Sequence, residues 1–207
     1  METNGLIYKV QDYKETSKLF YIYSPYGKYT LVARGAKGYK SSYRAYDYLT
    51  LISCELNINK SMQTLKKSEI INYYDTLKSD YKKSRYAGLI LKAIDLITDD
   101  LPHQRVFDMI TWLLTFKDIE LAAITLYIKL TYALGYELTF HKTYESFDLF
   151  KGTTTPYAQS LTKIETMALQ TLYYLKEEIE LTETLKETLK QFIKKYYIYH
   201  MDYDIKL

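Results

Sequence analysis

Short runs of Ile, Val, Leu, Thr and Tyr, separated by turn residues, fill the chain up to about residue 71. Runs of this length and composition are typical of β-strands. They predict five strands, at 6–10, 19–23, 28–34, 48–56 and 62–69. Ser24-Pro25-Tyr26-Gly27 lies between the second and third strands, and its Pro and Gly favour a tight turn. These two strands should therefore form a hairpin.

From residue 77 onward the apolar residues follow the spacing of helices. The spacing predicts helices through 86–97, from Gln104, at 119–134, at 162–176 and at 181–196. The third is apolar nearly all round and should be buried, with Gly135 as its C-cap, and Thr162 with Glu165 forms a capping-box pattern. The weakly periodic segment 137–157 predicts an irregular insertion. The chain thus reads as an α+β protein with domains at 1–76 and 77–207.

Positive charge is concentrated in one part of the strand region. Residues 16–46 contain no Asp or Glu but six cations: Lys18, Lys28, Arg34, Lys37, Lys40 and Arg44. Because the formal net charge of the chain is only +3, this local segregation indicates a face that binds a polyanion. We expect 35–43 to form a mobile, cationic loop. Tyr39 and Tyr43 on it are candidate stacking platforms for unpaired bases.

A five-stranded barrel of this size is the OB architecture, which binds single strands across its middle strands. Lys and Arg neutralise phosphates and give a salt-sensitive affinity. The residues therefore predict an N-terminal five-stranded OB-fold β-barrel that binds nucleic acid, followed by an all-α helical domain. Two alternatives stay open: an interaction scaffold whose basic loop holds an acidic protein, and an RNA-binding accessory protein that uses the same face.

No pattern of catalytic or cofactor chemistry stands out. Gly27-Lys28-Tyr29 and Gly38-Tyr39-Lys40-Ser41 lack the residues or the spacing of a phosphate-binding loop. Cys and His occur singly, which disfavours a metal site. Asp99-Asp100 fits a solvated loop before Pro102 better than a cation site, and Cys54 fits a core cysteine better than a nucleophile. We expect a protein that is not an enzyme and needs no cofactor.

Cysteine usage and hydropathy bear on location. One cysteine permits no internal disulfide, no segment approaches 18 uninterrupted apolar residues, and 1–10 has no apolar signal region. These features predict a cytoplasmic protein.

Short motifs also fall in the order and spacing of a known family. Residues 5–9 and 12–19 resemble the opening strand and the D-Y-x-E-x-x-K-L turn of that family. Residues 31–45 resemble its most recognisable motif, V-A-R-G-A-R/K followed by K-S and R. Further matches lie at 49–51, 55–56, 65–71, 86–87 and 133–136. On these residues the chain resembles the RecO recombination mediators of bacterial DNA repair.

The resemblance implies an OB-fold domain, a helical domain and a function without turnover chemistry. Such proteins bind single- and double-stranded DNA, anneal complementary strands and associate with RecR. They also help to load the recombinase RecA onto DNA coated by single-stranded-DNA-binding protein (SSB), which implies a place at the bacterial nucleoid. Arg34, Lys37, Lys40 and Arg44 inherit the DNA-contact role by position.

The helical domain of the family also docks the acidic, Phe-ending C-terminal tail of SSB. Such a site needs an apolar slot for the aromatic ring and a cation for the carboxylate. Lys129 occupies the position where relatives often carry Arg, so it is the candidate cation. A lysine that snorkels at the bundle surface is an equal alternative.

Two features depart from the family pattern. Many relatives carry four cysteines after A-L-G-Y that build a zinc knuckle, whereas 137–157 contains none, so zinc is not expected here. Asp47-Tyr48 stands where the family has Q-P, which places an acid near the DNA face.

Overall fold

The computed structural model describes residues 1–98, 103–157 and 160–207. Its strands and helices confirm the α+β class. The chain divides into two compact units, Met1–Trp112 and Leu113–Leu207. The domain boundary predicted near residue 76 falls inside the first unit, where Tyr23 of a strand contacts His103 and Phe107 of a helix. The division into compact units does not test where the functional domains begin and end, so that boundary stays a prediction.

Six strands form one sheet in the first unit. They are β1 (Glu2–Tyr13), β2 (Ser17–Ser24), β3 (Gly27–Ala33), β4 (Thr50–Glu55), β5 (Met62–Thr64) and β6 (Ser68–Asn72). Their order across the sheet is β5-β3-β2-β1-β4-β6, and all neighbours are antiparallel except β3 and β5. β2 and β3 pair down to Ser24 and Gly27, which confirms the predicted hairpin.

The long strand β1 has a different neighbour along each of its two edges. Its first half pairs with β4 as far as Ile7, and the rest pairs with β2. The register shifts between Ile7 and Lys9, so Tyr8 forms a bulge near the point where the β4 ladder ends. A bulge increases local twist, and it lets β1 curve between its two partners.

The prediction of a fifth continuous strand at 62–69 is wrong. This stretch contains two strands, of which β5 pairs with β3 and β6 pairs with β4. Backbone bonds extend each pairing, from Leu65 N to Val32 O at 3.0 Å and from Glu55 N to Lys67 O at 3.3 Å. The change of partner therefore falls at Lys66. The sheet has six strands rather than five and is not a closed barrel, because among the described residues no ladder joins β5 to β6.

Tyrosine hydroxyl groups occupy this interruption in the sheet. Tyr43 Oη donates to the carbonyl oxygens of Leu65 and Lys66, at 3.3 and 3.2 Å. Tyr46 Oη donates to Ser68 O at 2.9 Å and accepts from Ser68 Oγ at 3.1 Å. A carbonyl left without a donor beside the core would cost stability, so these two side chains replace the ladder bonds that are missing there.

Alternate side chains of the sheet point inward and form one apolar cluster. Its buried members are Ile7, Phe20, Ile22, Tyr29, Leu31, Ala33, Ala36, Tyr46, Ile52, Cys54, Leu56 and Leu65. Burial raises the pKa of the Cys54 thiol to about 12, so it is protonated near neutral pH and packs as a core residue, as predicted. Two members, Ala36 and Tyr46, lie between β3 and β4 rather than on a strand.

The helices of the first unit follow the strands directly. They are α1 (Asp75–Lys78), α2 (Tyr81–Ala93), a 3₁₀ turn (Ile94–Leu96) and α3 (His103–Leu113). The predicted apolar stripe of α2 is buried, and Asp80 caps the helix by accepting from Lys83 N at 2.8 Å. α3 begins one residue before the predicted Gln104. Asp99, Asp100 and Pro102 lie outside the described residues.

The second unit contains α4 (Ile119–Ala133), β7 (Ser146–Asp148), β8 (Thr153–Thr155), α5 (Lys163–Tyr173) and α6 (Glu183–Met201). α4 is buried nearly all round, as predicted. Gly135, at φ +82°, ends it in a Schellman motif, because Gly135 N donates to Tyr132 O and Tyr136 N donates to Thr131 O. The segment predicted to be irregular contains the hairpin of β7 and β8.

Side chains at the helix ends and in the core hold the second unit together. The Glu165 carboxylate accepts from Thr162 N at 2.7 Å, which bears out the predicted capping pattern of α5. Lys186 pairs with Asp118 at 2.9 Å and fastens α6 to the start of α4. Tyr197 Oη donates to Tyr127 O at 2.8 Å inside the core. None of the helices in the described ranges is long and apolar enough to span a membrane.

We predict that Tyr46→Phe lowers the free energy of unfolding by about 1 kcal/mol, because Ser68 O loses its hydroxyl donor where the sheet is interrupted. Urea denaturation followed by circular dichroism measures the change. Tyr39→Phe is the matched control, since that side chain is 85% exposed. Equal stability of the two variants would show that the hydroxyl bonds do not support the sheet.

Candidate nucleic-acid interface

The four cations with the RecO-like spacing lie on one loop, residues 34–46, which we call the basic loop. Its backbone is a series of hydrogen-bonded turns, in which Gly38 N donates to Gly35 O and Ser41 N donates to Gly38 O. A short 3₁₀ turn, Ser42–Ala45, follows, and the Ser41 hydroxyl caps it by accepting from Tyr43 N at 3.2 Å. The sequence GAKGYKSSYRA therefore has defined local structure.

Four contacts tie the basic loop to the sheet and to the β1–β2 turn. Ala36 and Tyr46 are buried in the core cluster, and the Tyr43 hydroxyl bonds to the carbonyls beside Lys66. At the start of the loop, Lys37 N donates to Thr16 O at 3.0 Å, which joins the loop to the β1–β2 turn. The mobility expected for this loop stays a prediction.

Tyr39 and Arg44 form an exposed pair on the basic loop. The Arg44 guanidinium lies 5.0 Å from the centre of the Tyr39 ring, within the range of a cation–π contact. The Tyr39 residue is 85% exposed. Arg44 covers one face of the ring at most, so the opposite face remains available for an unpaired base.

Tyr43 has a different environment from Tyr39. It is half-buried, its ring meets the Tyr46 ring edge-on at a centroid distance of 5.6 Å, and its hydroxyl is bound at the sheet interruption. These contacts give Tyr43 a structural role in holding the loop. Base stacking by Tyr43 stays a prediction. The ring would have to stack on a base while keeping these contacts.

An acidic residue from outside the acid-free stretch 16–46 lies against one of the cations of the basic loop. Lys37 Nζ is 3.0 Å from Asp12 Oδ2 and also donates to Lys14 O at 3.2 Å. Asp12 stands near the end of β1, and the β1–β2 turn brings it to the loop. Part of the Lys37 charge is therefore already balanced, although an exposed pair of this kind contributes only about 0–1 kcal/mol.

Lys18 and Lys28, the other two predicted DNA-binding cations, lie apart from each other. Lys18 is paired in register with Asp12 and Ala33, at the end of β2 nearest the basic loop. Lys28 lies at the opposite end of β3, six residues before Arg34. At the usual rise of a strand this places it about 20 Å from Arg34. The structure thus brings Lys18 to the loop and leaves Lys28 at the far end of the sheet.

One further cation, which lies outside residues 16–46, is brought close to an aromatic ring by the sheet. Lys9 on β1 is paired in register with Tyr21 on β2, and its Nζ lies 5.1 Å from the Tyr21 ring centre. The alternation of β1 marks Lys9 as outward-facing, but the sequence does not show which side chain it meets. For the same reason, the sequence does not show that Asp12 lies against Lys37.

Lys129, the candidate cation for a partner, lies on α4 in the second unit. Its Nζ donates to Tyr173 O at 2.9 Å, at the last residue of α5. A cation at that position also complements the negative end of the helix dipole. Burial lowers the pKa of Lys129. Glu137 lies near Tyr173 and contributes, after burial, to the raised pKa of that phenol.

The described residues contain no group of three or more His, Cys, Asp or Glu side chains that would hold a metal ion. The site consists instead of cations, one exposed ring and a supported backbone. Such an arrangement is suited to contacts with phosphates and bases.

Comparison with known proteins gives matches in the strand region and beyond it. A family model described as "Recombination protein O N terminal" matches residues 1–74, which include β1 to β6 and the basic loop. Proteins named DNA repair protein RecO match further along the chain. The one from Clostridium novyi is 33% identical over 152 residues, which are 68% of this chain and 58% of the relative.

Two other RecO proteins match in a similar way. The protein from Clostridium perfringens is 31% identical over 146 residues, 67% of this chain and 52% of its own length. The protein from Bacillus mycoides is 32% identical over 112 residues, 53% of this chain and 45% of its own length. The chain thus aligns with about half the length of these curated relatives. The family match confirms the OB-fold prediction for β1 to β6, with the open, six-stranded sheet as the correction.

We predict that Asp12→Asn raises the affinity for single-stranded DNA by about two- to fivefold at low salt, because it removes the carboxylate that balances Lys37. Fluorescence anisotropy with a labelled oligonucleotide measures the effect. Asp202→Asn, in the second unit, makes the same change of net charge at an exposed position with positive φ that Asn tolerates. An equal gain in both variants would mean that overall charge, rather than release of Lys37, sets the affinity.

Proposed function

Because this chain belongs to the RecO family of DNA repair and recombination proteins, we propose that it is a non-enzymatic recombination mediator at the bacterial nucleoid. In this role it binds single- and double-stranded DNA, anneals complementary strands and helps to load the recombinase RecA onto SSB-coated DNA. RecR and the C-terminal tail of SSB are its proposed protein partners.

The observation that carries the proposal is the form of the basic loop. Arg34, Lys37, Lys40 and Arg44 are exposed on a backbone that Ala36 and the tyrosine hydroxyls tie to the sheet. A supported loop loses less conformational freedom on binding than an unanchored one. Its cations would neutralise phosphates while the Tyr39 ring stacks on one base.

Annealing would follow from charge rather than from covalent chemistry. Two DNA strands repel each other through their phosphates, and cations placed between them reduce that repulsion. No nucleophile is needed, and the Cys54 thiol is held protonated in the core by a pKa raised to about 12. We therefore assign the protein a binding function and no catalytic residue.

Lys129 is the proposed contact for the SSB tail. Support comes from Tyr132 and Tyr174, which are 61% and 57% exposed and lie near the side chain of Tyr173, the residue whose carbonyl Lys129 binds. These rings offer apolar surface for a terminal Phe, and the ammonium group offers a donor for its carboxylate. To bind, the terminal carboxylate of the SSB tail would have to share the Lys129 ammonium group with the Tyr173 carbonyl or displace that carbonyl from it. The carboxylate of Glu137, which lies near Tyr173, would oppose this.

We predict that Arg34, Lys37, Lys40 and Arg44 replaced together by Ala flatten the salt slope of DNA binding by about three units, since each lost phosphate contact removes about 0.7 to 0.9. Anisotropy titrations of single- and double-stranded oligonucleotides across a salt series measure the slope. Lys117, Lys142, Lys176 and Lys195 are exposed in the second unit, and their replacement by Ala is the matched control.

An unchanged slope in the loop variant would remove the basic loop from the DNA interface. Competition with RNA of equal length separates an RNA-binding role, and a wild-type protein without nucleic-acid affinity at low salt would favour a scaffold for acidic proteins.

We predict that Lys129→Met weakens binding of an acidic, Phe-ending SSB-tail peptide by about tenfold and leaves DNA affinity unchanged, because Met keeps the packing but removes the cation. Isothermal titration calorimetry measures peptide affinity. Lys129→Glu should weaken it further, and thermal unfolding of both variants controls for loss of the α5 cap. Wild-type peptide affinity in folded Lys129→Met would make Lys129 a helix cap only.

A further inference from the structure

Helix α6 carries a row of exposed side chains on the side opposite to its buried face. The members follow one another at spacings of three, four, four and three residues, so they lie along one side of the helix. They are Thr184, Glu187, Gln191, Lys195 and Ile198, and all five are exposed. We call this set the α6 row.

The α6 row is self-complementary about its middle residue. Gln191 lies at the centre, with Glu187 about 6 Å before it and Lys195 about 6 Å after it along the helix axis. Beside a second α6 that runs antiparallel, related by a two-fold axis at Gln191, each Glu187 faces a Lys195 and each Thr184 faces an Ile198. The two Gln191 amides then face each other, and an amide is both a donor and an acceptor.

Interactions within the protein do not account for both charges of the row. Lys195 has no hydrogen bond or ion pair to another described residue, and it lies too far before the helix end at Met201 for the helix dipole to favour it. The Glu187 carboxylate accepts from Lys190 Nζ at 2.7 Å and from Gln191 Nε2 at 2.9 Å. The Glu187 side chain is still 57% exposed, so its oxygens can accept a further bond from outside.

An apolar groove of about 600 Å³ lies beside the α6 row, between α6 and the β7–β8 turn. Buried side chains of Leu149, Leu161 and Phe192 line it, together with three members of the row. The rings of Phe150 and Tyr199 also line it, 62% and 59% exposed, and they meet edge-on at a centroid distance of 4.9 Å. Exposed rings beside a concave apolar surface are typical of a protein–protein contact.

The charges at the groove select its occupant. A uniformly acidic segment would meet Glu187, and a uniformly basic segment would meet Lys195, so like charges oppose both. A helix that carries an acid and a cation eight residues apart, and that runs in the opposite direction, pairs with both. α6 of a second copy is such a helix, and it also supplies the matching amide at the centre.

The extent of this surface indicates a weak, reversible association. α6 is about 27 Å long, so one helix pair with the adjoining turns falls at or below the lower end of standard interfaces, about 1,200 Å² in total. We expect a dissociation constant on the order of 10 μM, because exposed ion pairs add only modestly to it. The protein is then monomeric at the lower concentrations of the DNA titrations above.

We propose that the α6 row and the adjoining groove bind the same surface of a second copy of this chain, with the two α6 helices antiparallel. Two Glu187–Lys195 ion pairs flank the central pair of Gln191 amides, and the rings beside the groove lose contact with water. The inference goes beyond the proposed function, and self-association is measured without DNA. In the proposed function a dimer would carry two basic loops, one for each strand, and binding to neighbouring strands would raise the local concentration of the copies.

The test is sedimentation velocity of the full chain without DNA, from about 1 to about 300 μM, which brackets the expected dissociation constant. Wild-type protein should shift from monomer to dimer across this range. Glu187→Lys and Lys195→Glu should each weaken dimerisation by at least about tenfold, because each change places like charges together twice in one dimer. Lys176→Glu and Glu177→Lys, at exposed positions of the same unit, are the matched controls and should change it by less than about twofold.

Combining the two changes distinguishes this pairing from a general effect of charge. An equimolar mixture of the Glu187→Lys and Lys195→Glu proteins should form a heterodimer, since every facing pair is then of opposite sign. The double variant, with both changes in one chain, should dimerise with itself to within about threefold of wild type. Thermal unfolding of each variant controls for loss of the pair between Glu187 and Lys190.

Gln191→Arg is a further variant that preserves the fold. It places a cation four residues after Glu187, a spacing that stabilises a helix. At the two-fold axis, however, it sets two like charges against each other and removes the amide pair. Dimerisation should weaken by at least about fivefold, and the unfolding temperature should not fall.

Three outcomes would overturn the inference. They are a wild-type protein that stays monomeric at all concentrations, a dimer that neither charge variant weakens, and failure of the mixture and the double variant to restore dimerisation. A monomer in which Lys195→Glu weakens binding of the SSB-tail peptide would assign the groove to that peptide instead. A wild-type dimer that binds no DNA contradicts the proposed function and leaves this interface in place.

Discussion

The change of hydrogen-bond partner at Lys66 is the constraint around which the first unit is organised. The segment 62–72 pairs first with β3, through β5, and then with β4, through β6. Between the two pairings its carbonyl groups have no strand partner, so they need hydrogen-bond donors from elsewhere. Tyr43 and Tyr46 supply them. Both tyrosines belong to the basic loop, and therefore the loop that presents the cations is also part of what completes the sheet.

In the proposed function, this dual role would link the stability of the first unit to DNA binding. A loop whose tyrosine rings and hydroxyls are engaged in the fold keeps its backbone in place, and the energetic cost of ordering it has been met during folding rather than on binding. The exposed side chains, Tyr39 with Arg44 above all, then act from a defined position.

The electrostatic pattern is more divided than the charge of residues 16–46 implies. Asp12 balances part of Lys37, and Lys28 lies at the other end of β3 from the loop. Lys129 in the second unit is already bound to a helix end.

Local patterns in the sequence predicted much of this. Alternation and turn residues located the β2–β3 hairpin, apolar spacing located the buried α4, and the Thr162 and Glu165 pair marked the start of α5. These signals act between residues that are neighbours along the chain, so they are readable without a structure. The basic loop was located in the same way, together with the motif that the family shares.

The sequence by itself determined the class of β1 to β4 and of α2 to α6, the basic loop and the family to which the chain belongs. It did not predict β7 and β8, which lie in the segment expected to be irregular. Only the tertiary structure decided that 62–72 divides between two partners, that Asp12 meets Lys37, and that Tyr43 holds the loop while Tyr39 faces solvent. Each of these depends on which distant segments come together. Periodicity and charge describe what a residue prefers as its surroundings, and the packing of the whole unit selects the atom that it contacts.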